Sequence, residues 1–207
     1  MKKTFLVILM TLASTLALAA DPSEFVVKPA SKATLDQIRT GGYVLYMRHG
    51  STDSSRPDRA PQVDLNDCST QRPLTEEGRK LAVRLGEYLR KAAIPLNDIH
   101  SSPLCRAKES AQAAFGDRFK IEVNLMYSGN MTSEEKQPTV RKTRELLSAP
   151  VKAGSNRLIV AHAPNLMDLL GYFPKPEGTI AVFRPLNGEG FEYIASILPD
   201  QWPDLLK

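Results

Sequence analysis

Short apolar runs alternate along the chain with longer stretches in which apolar positions recur every three or four residues, a pattern that predicts strands and helices in turn. Residues 43–47 (YVLYM) and 157–161 (RLIVA) are rich in β-formers and too short for an ordinary helix, so both read as buried strands. Residues 31–40 read as a small helix that Gly41 and Gly42 stop. Thr75 offers an N-cap with Glu76 and Glu77 in the first turn, and Leu81, Leu85, Tyr88 and Leu89 follow at helical spacing, predicting a helix to about Ala93. Residues 98–101 read as a strand, and Pro103 opens a helix that runs through Arg106 to Phe115 before Gly116 ends it. A short strand over 121–124, a helix over 138–148, a helix starting at 165–170 with Asn165 as its N-cap, and strands over 179–184 and 191–198 around an Asn187-Gly188 turn complete the set. Strand-helix alternation of this kind predicts an α/β fold, a three-layer α/β/α sandwich on a mostly parallel sheet. Residues 51–73, polar and proline-containing, interrupt the pattern as a long loop, and loops of that length tend to serve a site.

The first twenty residues change the picture at one end. Lys2 and Lys3 precede an apolar stretch that closes on small residues, as in a secretory signal cleaved near Ala19 or Ala20; Thr11, Ser14 and Thr15 break the stretch before it reaches spanning length. The expected organisation is a signal over 1–19 and one domain over 20–207, exported, and periplasmic if the source is a Gram-negative bacterium. No stable membrane insertion is expected after cleavage. Loss of the two lysines lowers the formal charge from +4 to +2, and no basic run remains, so nucleic acid is not an implied partner. The only two cysteines, Cys68 and Cys105, would meet an oxidising compartment in which they can pair as a disulfide or stay as separate thiols.

Ligands of open α/β sheets gather beyond the C-terminal ends of the strands, and three such ends here carry unusual side chains. The first ends in Arg48 and His49, the second leads to Ser101, Ser102, Pro103 and Arg106, and the third ends in His162. Together they suit a phosphate group. Arginine binds phosphate oxygens through a planar fork and stays charged, while a neutral imidazole can accept a phosphoryl group and pass it to water. Ser51 and Thr52 are candidate hydrogen-bond donors to the phosphate, or else caps of the turn. The scheme needs no metal or other cofactor, and P-loop, paired-cysteine zinc and H-E-x-x-H patterns are all missing from the sequence. His100, inside its strand, reads as structural, and Arg56, Arg59 and Arg72 read as solvated loop arginines.

Arg48-His49-Gly50, SSPLCRAKESA over 101–111, LIVAHAPNL over 158–166 and PLTEEGRKLA over 73–82 resemble, in order and spacing, the motifs of the histidine phosphatase superfamily, which includes phosphoglycerate mutase and acid phosphatases. The resemblance implies that His49 is the nucleophile that becomes phosphohistidine, that Arg48 and Arg106 clamp the phosphate, and that His162 bonds the transferring group. In export, size and its cysteine-containing loop the chain is similar to the periplasmic branch that includes lipopolysaccharide core heptose phosphatase, which implies a small phosphorylated substrate, a sugar phosphate or core glycan among them. Many members carry an acidic residue after the strand that follows the second motif, where this chain has Leu125, Met126 and Tyr127. Glu177 is the first candidate for the missing general acid, followed by Glu134 and Glu135. Two rival readings are a phosphomutase of the same fold and a non-catalytic module that binds phosphate or anionic glycans.

Overall fold

The computed structural model describes residues 24–59 and 63–207; the expected signal segment over 1–19 lies outside them. Six strands form one sheet in the order β3-β2-β4-β1-β5-β6, with β1 at Val44–Arg48, β2 at Leu96–Ser101, β3 at Lys120–Ile121, β4 at Asn156–Ala161, β5 at Ile180–Pro185 and β6 at Phe191–Ile197. β3, β2, β4 and β1 pair in parallel, whereas β5 is antiparallel to both β1 and β6. One reversed strand in six fits the mostly parallel sheet read from the sequence.

Successive side chains on a strand face opposite ways, and β1 shows what that does here. Leu45 and Met47 enter a core shared with helices α1 (Lys32–Arg39), α2 (Glu76–Lys91), α3 (Cys105–Phe115) and α6 (Trp202–Leu205). Val44 and Tyr46 enter the opposite core, against α4 (Gln137–Ser148) and α5 (Ala163–Leu170). These two cores make the three layers, and a strand buried on both faces has to be apolar throughout, which is why YVLYM shows no alternation.

Three expectations need correction. The strand expected over 121–124 is only Lys120–Ile121, because the chain turns back at once, with the Leu125 N–H donating to the Glu122 carbonyl. Thr75 does cap α2, its hydroxyl accepting from the Gly78 N–H at 2.9 Å, but Asn165 caps nothing. His162 is the residue before α5, and Asn165 lies fully buried in the first turn with its side-chain oxygen toward Ser128. Pro164 at the start of the helix already has a suitable φ, so the helix opens three residues earlier than an asparagine cap would place it.

The two motif glycines explain each other. A β-carbon on Gly50 would lie 2.3 Å from the Gly78 carbonyl oxygen, and one on Gly78 would lie 2.1 Å from that of Ser51. Only glycines let the first turn of α2 press against the turn that follows β1. That contact holds the loop entrance beside His49, and the Ser51 carbonyl is spent on it, accepting from the Thr75 N–H at 2.9 Å.

Candidate active site

β1, β2 and β4 run side by side in parallel, so their C-terminal ends open on the same edge and bring Arg48, His49, Ser102 and His162 together. The ring centres of His49 and His162 are 5.3 Å apart. His49 is pinned through its backbone N–H to the Ala161 carbonyl, at 3.1 Å, on the neighbouring strand. Its Nδ1 is 2.8 Å from the Gly50 carbonyl. A carbonyl only accepts, so Nδ1 carries the proton and Nε2 keeps its lone pair. Burial first, and the positive charge of Arg106 next, drive the pKa of His49 well below the ordinary imidazole value. The ring is therefore neutral at neutral pH, the form in which it is nucleophilic.

His162 is the mirror case. Its Nε2 lies 2.7 Å from the Ser102 hydroxyl, whose oxygen also receives the Leu104 N–H at 3.3 Å. The serine proton is then free to point at Nε2, which leaves the ring proton on Nδ1, an atom with no partner among the described residues. Burial, followed by Arg106 and His49, holds this imidazole neutral too. Tyr46 fixes the backbone here, its hydroxyl donating to the His162 carbonyl at 2.8 Å.

Both expected clamp arginines are held from behind. Arg48 donates through Nη1 to the Pro174 carbonyl at 2.9 Å and through Nη2 to Glu177 at 3.2 Å. Arg106, fully buried, forks onto both oxygens of Asp58 at 2.8 and 3.1 Å. Burial pushes the Arg106 pKa down and Asp58 pushes it back up, so the carboxylate is what makes a buried guanidinium tolerable. In each arginine Nε is left buried and without a partner among the described residues. The ring of Tyr127 covers Arg106, 5.0 Å from its Cζ, and meets His162 edge-on at 5.5 Å.

Glu177 reaches the site. Its Oε1 is 4.0 Å from His49 Nδ1. The same carboxylate accepts from the Thr52 hydroxyl at 2.7 Å and from the Thr52 N–H at 3.1 Å. Thr52 is thus engaged with Glu177 through both its donors, whereas only the carbonyl of Ser51 is taken up by the turn. Glu134 and Glu135 sit on the exposed stretch before α4, where Glu135 closes a local turn with Thr132 at 2.8 Å. Arg48, Thr52, Ser54, Arg72, Phe173, Lys175, Pro176 and Glu177 line an open mouth of about 610 Å³.

The sequence profile of the histidine phosphatase superfamily (branch 1) matches residues 44–127, a span that runs from β1 to Tyr127 and takes in His49, the 51–73 loop and Arg106. The match covers less than half of the chain and takes in three of the four motifs quoted above, leaving 158–166 outside it. A phosphatase is the enzyme class that this match supports. Among solved structures, the protein histidine phosphatase SixA complexed with tungstate is 17% identical, covering 77% of this chain and 98% of its own, with a TM-score of 0.53. The alpha-ribazole phosphatase from Shigella flexneri is 18% identical over 74% of this chain and 95% of its own, with a TM-score of 0.46. The likeness to SixA at that identity is one of fold. No curated protein sequence matches the chain significantly.

The 51–73 loop contributes more than its composition suggested. Cys68 and Cys105 form a disulfide with Cα atoms 5.7 Å apart, and the Gln71 side chain accepts from the Cys105 N–H at 2.7 Å. The loop is thereby strapped to the first turn of α3, one residue before Arg106. Asp58, Arg72, Ser102 and Tyr127 all belong to the site, yet none was singled out from the sequence as a functional residue. Ser102 and Tyr127 lay inside or beside motifs already quoted. Asp58 and Arg72 carried no local signal, because a loop of mixed charges looks solvated until something shows what it folds against. Arg56 and Arg59 on the same loop are exposed, as expected. His100 lies away from the pocket, with Nε2 3.0 Å from Asp98.

Proposed function

We propose that the protein is an exported phosphomonoester hydrolase that works through a phosphohistidine at His49, with a phosphorylated sugar or envelope glycan as substrate. One observation carries the reading: His49 presents a neutral Nε2 in the same pocket as buried N–H groups of Arg48, Arg106 and His162 that have no partner among the described residues. Unpaired buried donors cost free energy unless an acceptor fills the space, and a phosphoryl group supplies several oxygens at once.

The His49 Nε2 lone pair attacks phosphorus in line as the bond from phosphorus to the leaving oxygen breaks and its electrons go to that oxygen. Arg48, Arg106 and His162 donate to the equatorial oxygens, where charge builds. Water then attacks the phosphohistidine, the P–N bond breaks, and its electrons return to Nε2, releasing inorganic phosphate. Glu177 is the nearest carboxylate to His49 among the described residues, but both its oxygens are taken up by donors of Arg48 and Thr52, which suits an anchor for Arg48 better than an acid. A substrate whose oxygen departs with little proton assistance, such as an anomeric sugar phosphate, fits a site built this way. Phe173 at the mouth offers a face for a sugar ring, and Ser54 and Lys175 offer polar contacts around it. The open mouth also favours water as phosphoryl acceptor over the enclosed return of the group to substrate that a mutase needs. Export is supported by the composition of residues 1–20 and by the disulfide, which is stable in an oxidising compartment.

The test is hydrolysis of a panel of sugar 1-phosphates and 6-phosphates by the mature chain, with phosphate release measured against product isomerisation and with acid quench for an acid-labile, base-stable phosphoprotein. Turnover with a trapped phosphohistidine supports the reading. Isomerised product without free phosphate would make it a mutase, and saturable binding without turnover would make it a binding module. Replacing Glu177 by Gln separates anchor from acid: an anchor slows both sugar classes alike, whereas an acid slows the 6-phosphates, with their poorer leaving group, far more. Cell fractionation and the N-terminus of the mature chain decide export.

A further inference from the structure

The two arginines assigned to the phosphate clamp share a property that weakens them as sources of attraction for an anion. Arg48 is ion-paired to Glu177 and Arg106 to Asp58, so each is matched by a carboxylate of its own. A pocket with only these two would offer hydrogen bonds but almost no net positive charge to a phosphoryl dianion.

Arg72 differs. It lines the mouth beside Arg48, it makes no ion pair among the described residues, and its Nε is buried without a partner, as are those of Arg48 and Arg106. Asp58 receives only its backbone N–H, at 2.8 Å, while the two carboxylate oxygens point to Arg106. The strap leaves the residue little freedom. Its neighbour Gln71 is bonded to the Cys105 N–H, Cys68 is linked covalently to Cys105, and Pro73 accepts from the Asp53 N–H at 3.1 Å. Its positive charge also bears on all four groups already assigned to the pocket, lowering the pKa values of Arg48, His49, Arg106 and His162. Lys175 is also without an ion pair among the described residues, but it is exposed at the rim and packs on Phe173 at 5.3 Å.

We propose that Arg72 is a third guanidinium ligand of the transferred phosphoryl group, supplying through the strapped loop the unpaired positive charge that Arg48 and Arg106 lack. The proposal rests on the pocket being a phosphoryl site, as in the function above. It gives the disulfide a purpose in the site, because the bridge fixes the loop that carries Arg72 to the helix that carries Arg106.

Tungstate, an oxyanion of phosphate shape, tests this without turnover. Calorimetric titration of the mature, oxidised protein with tungstate, alongside hydrolysis of para-nitrophenyl phosphate, would be compared for wild type, Arg72→Ala, Arg72→Lys and the exposed-loop variant Arg56→Ala. Arg72→Ala is expected to weaken tungstate binding and lower kcat/KM by about 100-fold each, on the scale of losing one charged donor to an oxyanion. Arg72→Lys should recover part of both, since it restores the charge without the fork. Arg56→Ala should stay within about twofold, as for a solvated surface charge. If Arg72→Ala and Arg72→Lys both bind tungstate within about threefold of wild type, with melting temperatures unchanged, Arg72 is not a ligand. Because the titration is independent of catalysis, a wild type that binds tungstate in an Arg72-dependent way but hydrolyses nothing supports this assignment while removing the phosphatase reading. Absence of tungstate binding by wild type overturns both.

Discussion

Two clusters of charge lie near opposite ends of the same strands. Toward the N-terminal end of β4, Arg157 is nearly saturated: Nε donates to Asp98 at 2.8 Å, Nη1 to the carbonyls of Leu146 and Ala149, and Nη2 to that of Pro150. Partial burial works against the charge of Asp98, but Lys120, Arg157 and His100 outweigh it and hold the carboxyl well below the usual range. Beyond the C-terminal ends, Arg48 and Arg106 each keep a buried Nε idle and His162 keeps an idle Nδ1. Both regions bury arginine beside carboxylate. What separates a structural arginine from a working one here is whether a buried donor has been left over among the described residues.

The comparison breaks most sharply at His49. Replacing it with Ala should lower phosphatase turnover by about 10,000-fold or more, the scale for loss of a nucleophile, with the melting temperature nearly unchanged. Undiminished activity measured with an aryl phosphate would sink the mechanism. Arg106→Ala should cost about 100- to 1,000-fold in kcat/KM, and in addition some stability, because Asp58 is left buried without its partner; steady-state kinetics and thermal melts read the two effects apart.

Cys68→Ser with Cys105→Ser comes next. The bridge closes a loop with a sequence separation of 37 residues, and its loss should cost about 3–4 kcal/mol, seen as a drop in melting temperature on the order of 10 °C. The double variant should also lose tungstate affinity, since the strap is released. Arg157→Ala sharpens the comparison from the other end: about 1–3 kcal/mol of stability should go, by chemical denaturation, with kcat/KM within about twofold. An equal loss of activity there would show that a nearly saturated arginine is not a mark of a purely structural one.

The smallest effect concerns pH. His49 and His162 have folded pKa values well below the ordinary imidazole value, so the unfolded chain binds protons first as pH falls through about 6.5. Stability from the two rings is complete above that value and is lost as pH drops toward their folded pKa values, at up to about 1.4 kcal/mol per pH unit for each. Denaturant titrations between pH 7 and 5 should show this slope, and His162→Asn should reduce it; an unchanged slope would place the acid sensitivity in other groups.

Most of the sheet was legible in the sequence, since buried strands and amphipathic helices write their burial into the order of apolar residues. Boundaries failed where a side chain has two uses. Asn165 looked like a cap, but the proline beside it let the helix begin just after His162 and sent the asparagine inward. The nucleophile region was legible for a related reason. Arg48, His49, Arg106 and His162 sit at strand ends or in the first helical turn beyond one, so periodicity alone says that they share an edge.

The sequence by itself determined the layered fold, the edge on which chemistry gathers and the four side chains that strands and helix starts carry there. Only the tertiary structure decided the rest: that Asp58 and Glu177 occupy the outer edges of the two arginines, that Thr52 is spent on Glu177, and that Arg72 lines the mouth. Those residues lie on loops, where no period ties position to direction. Their roles come from contacts across more than forty residues of chain, as in Asp58 to Arg106 and Thr52 to Glu177, and such contacts exist only once the sheet has brought the loops together.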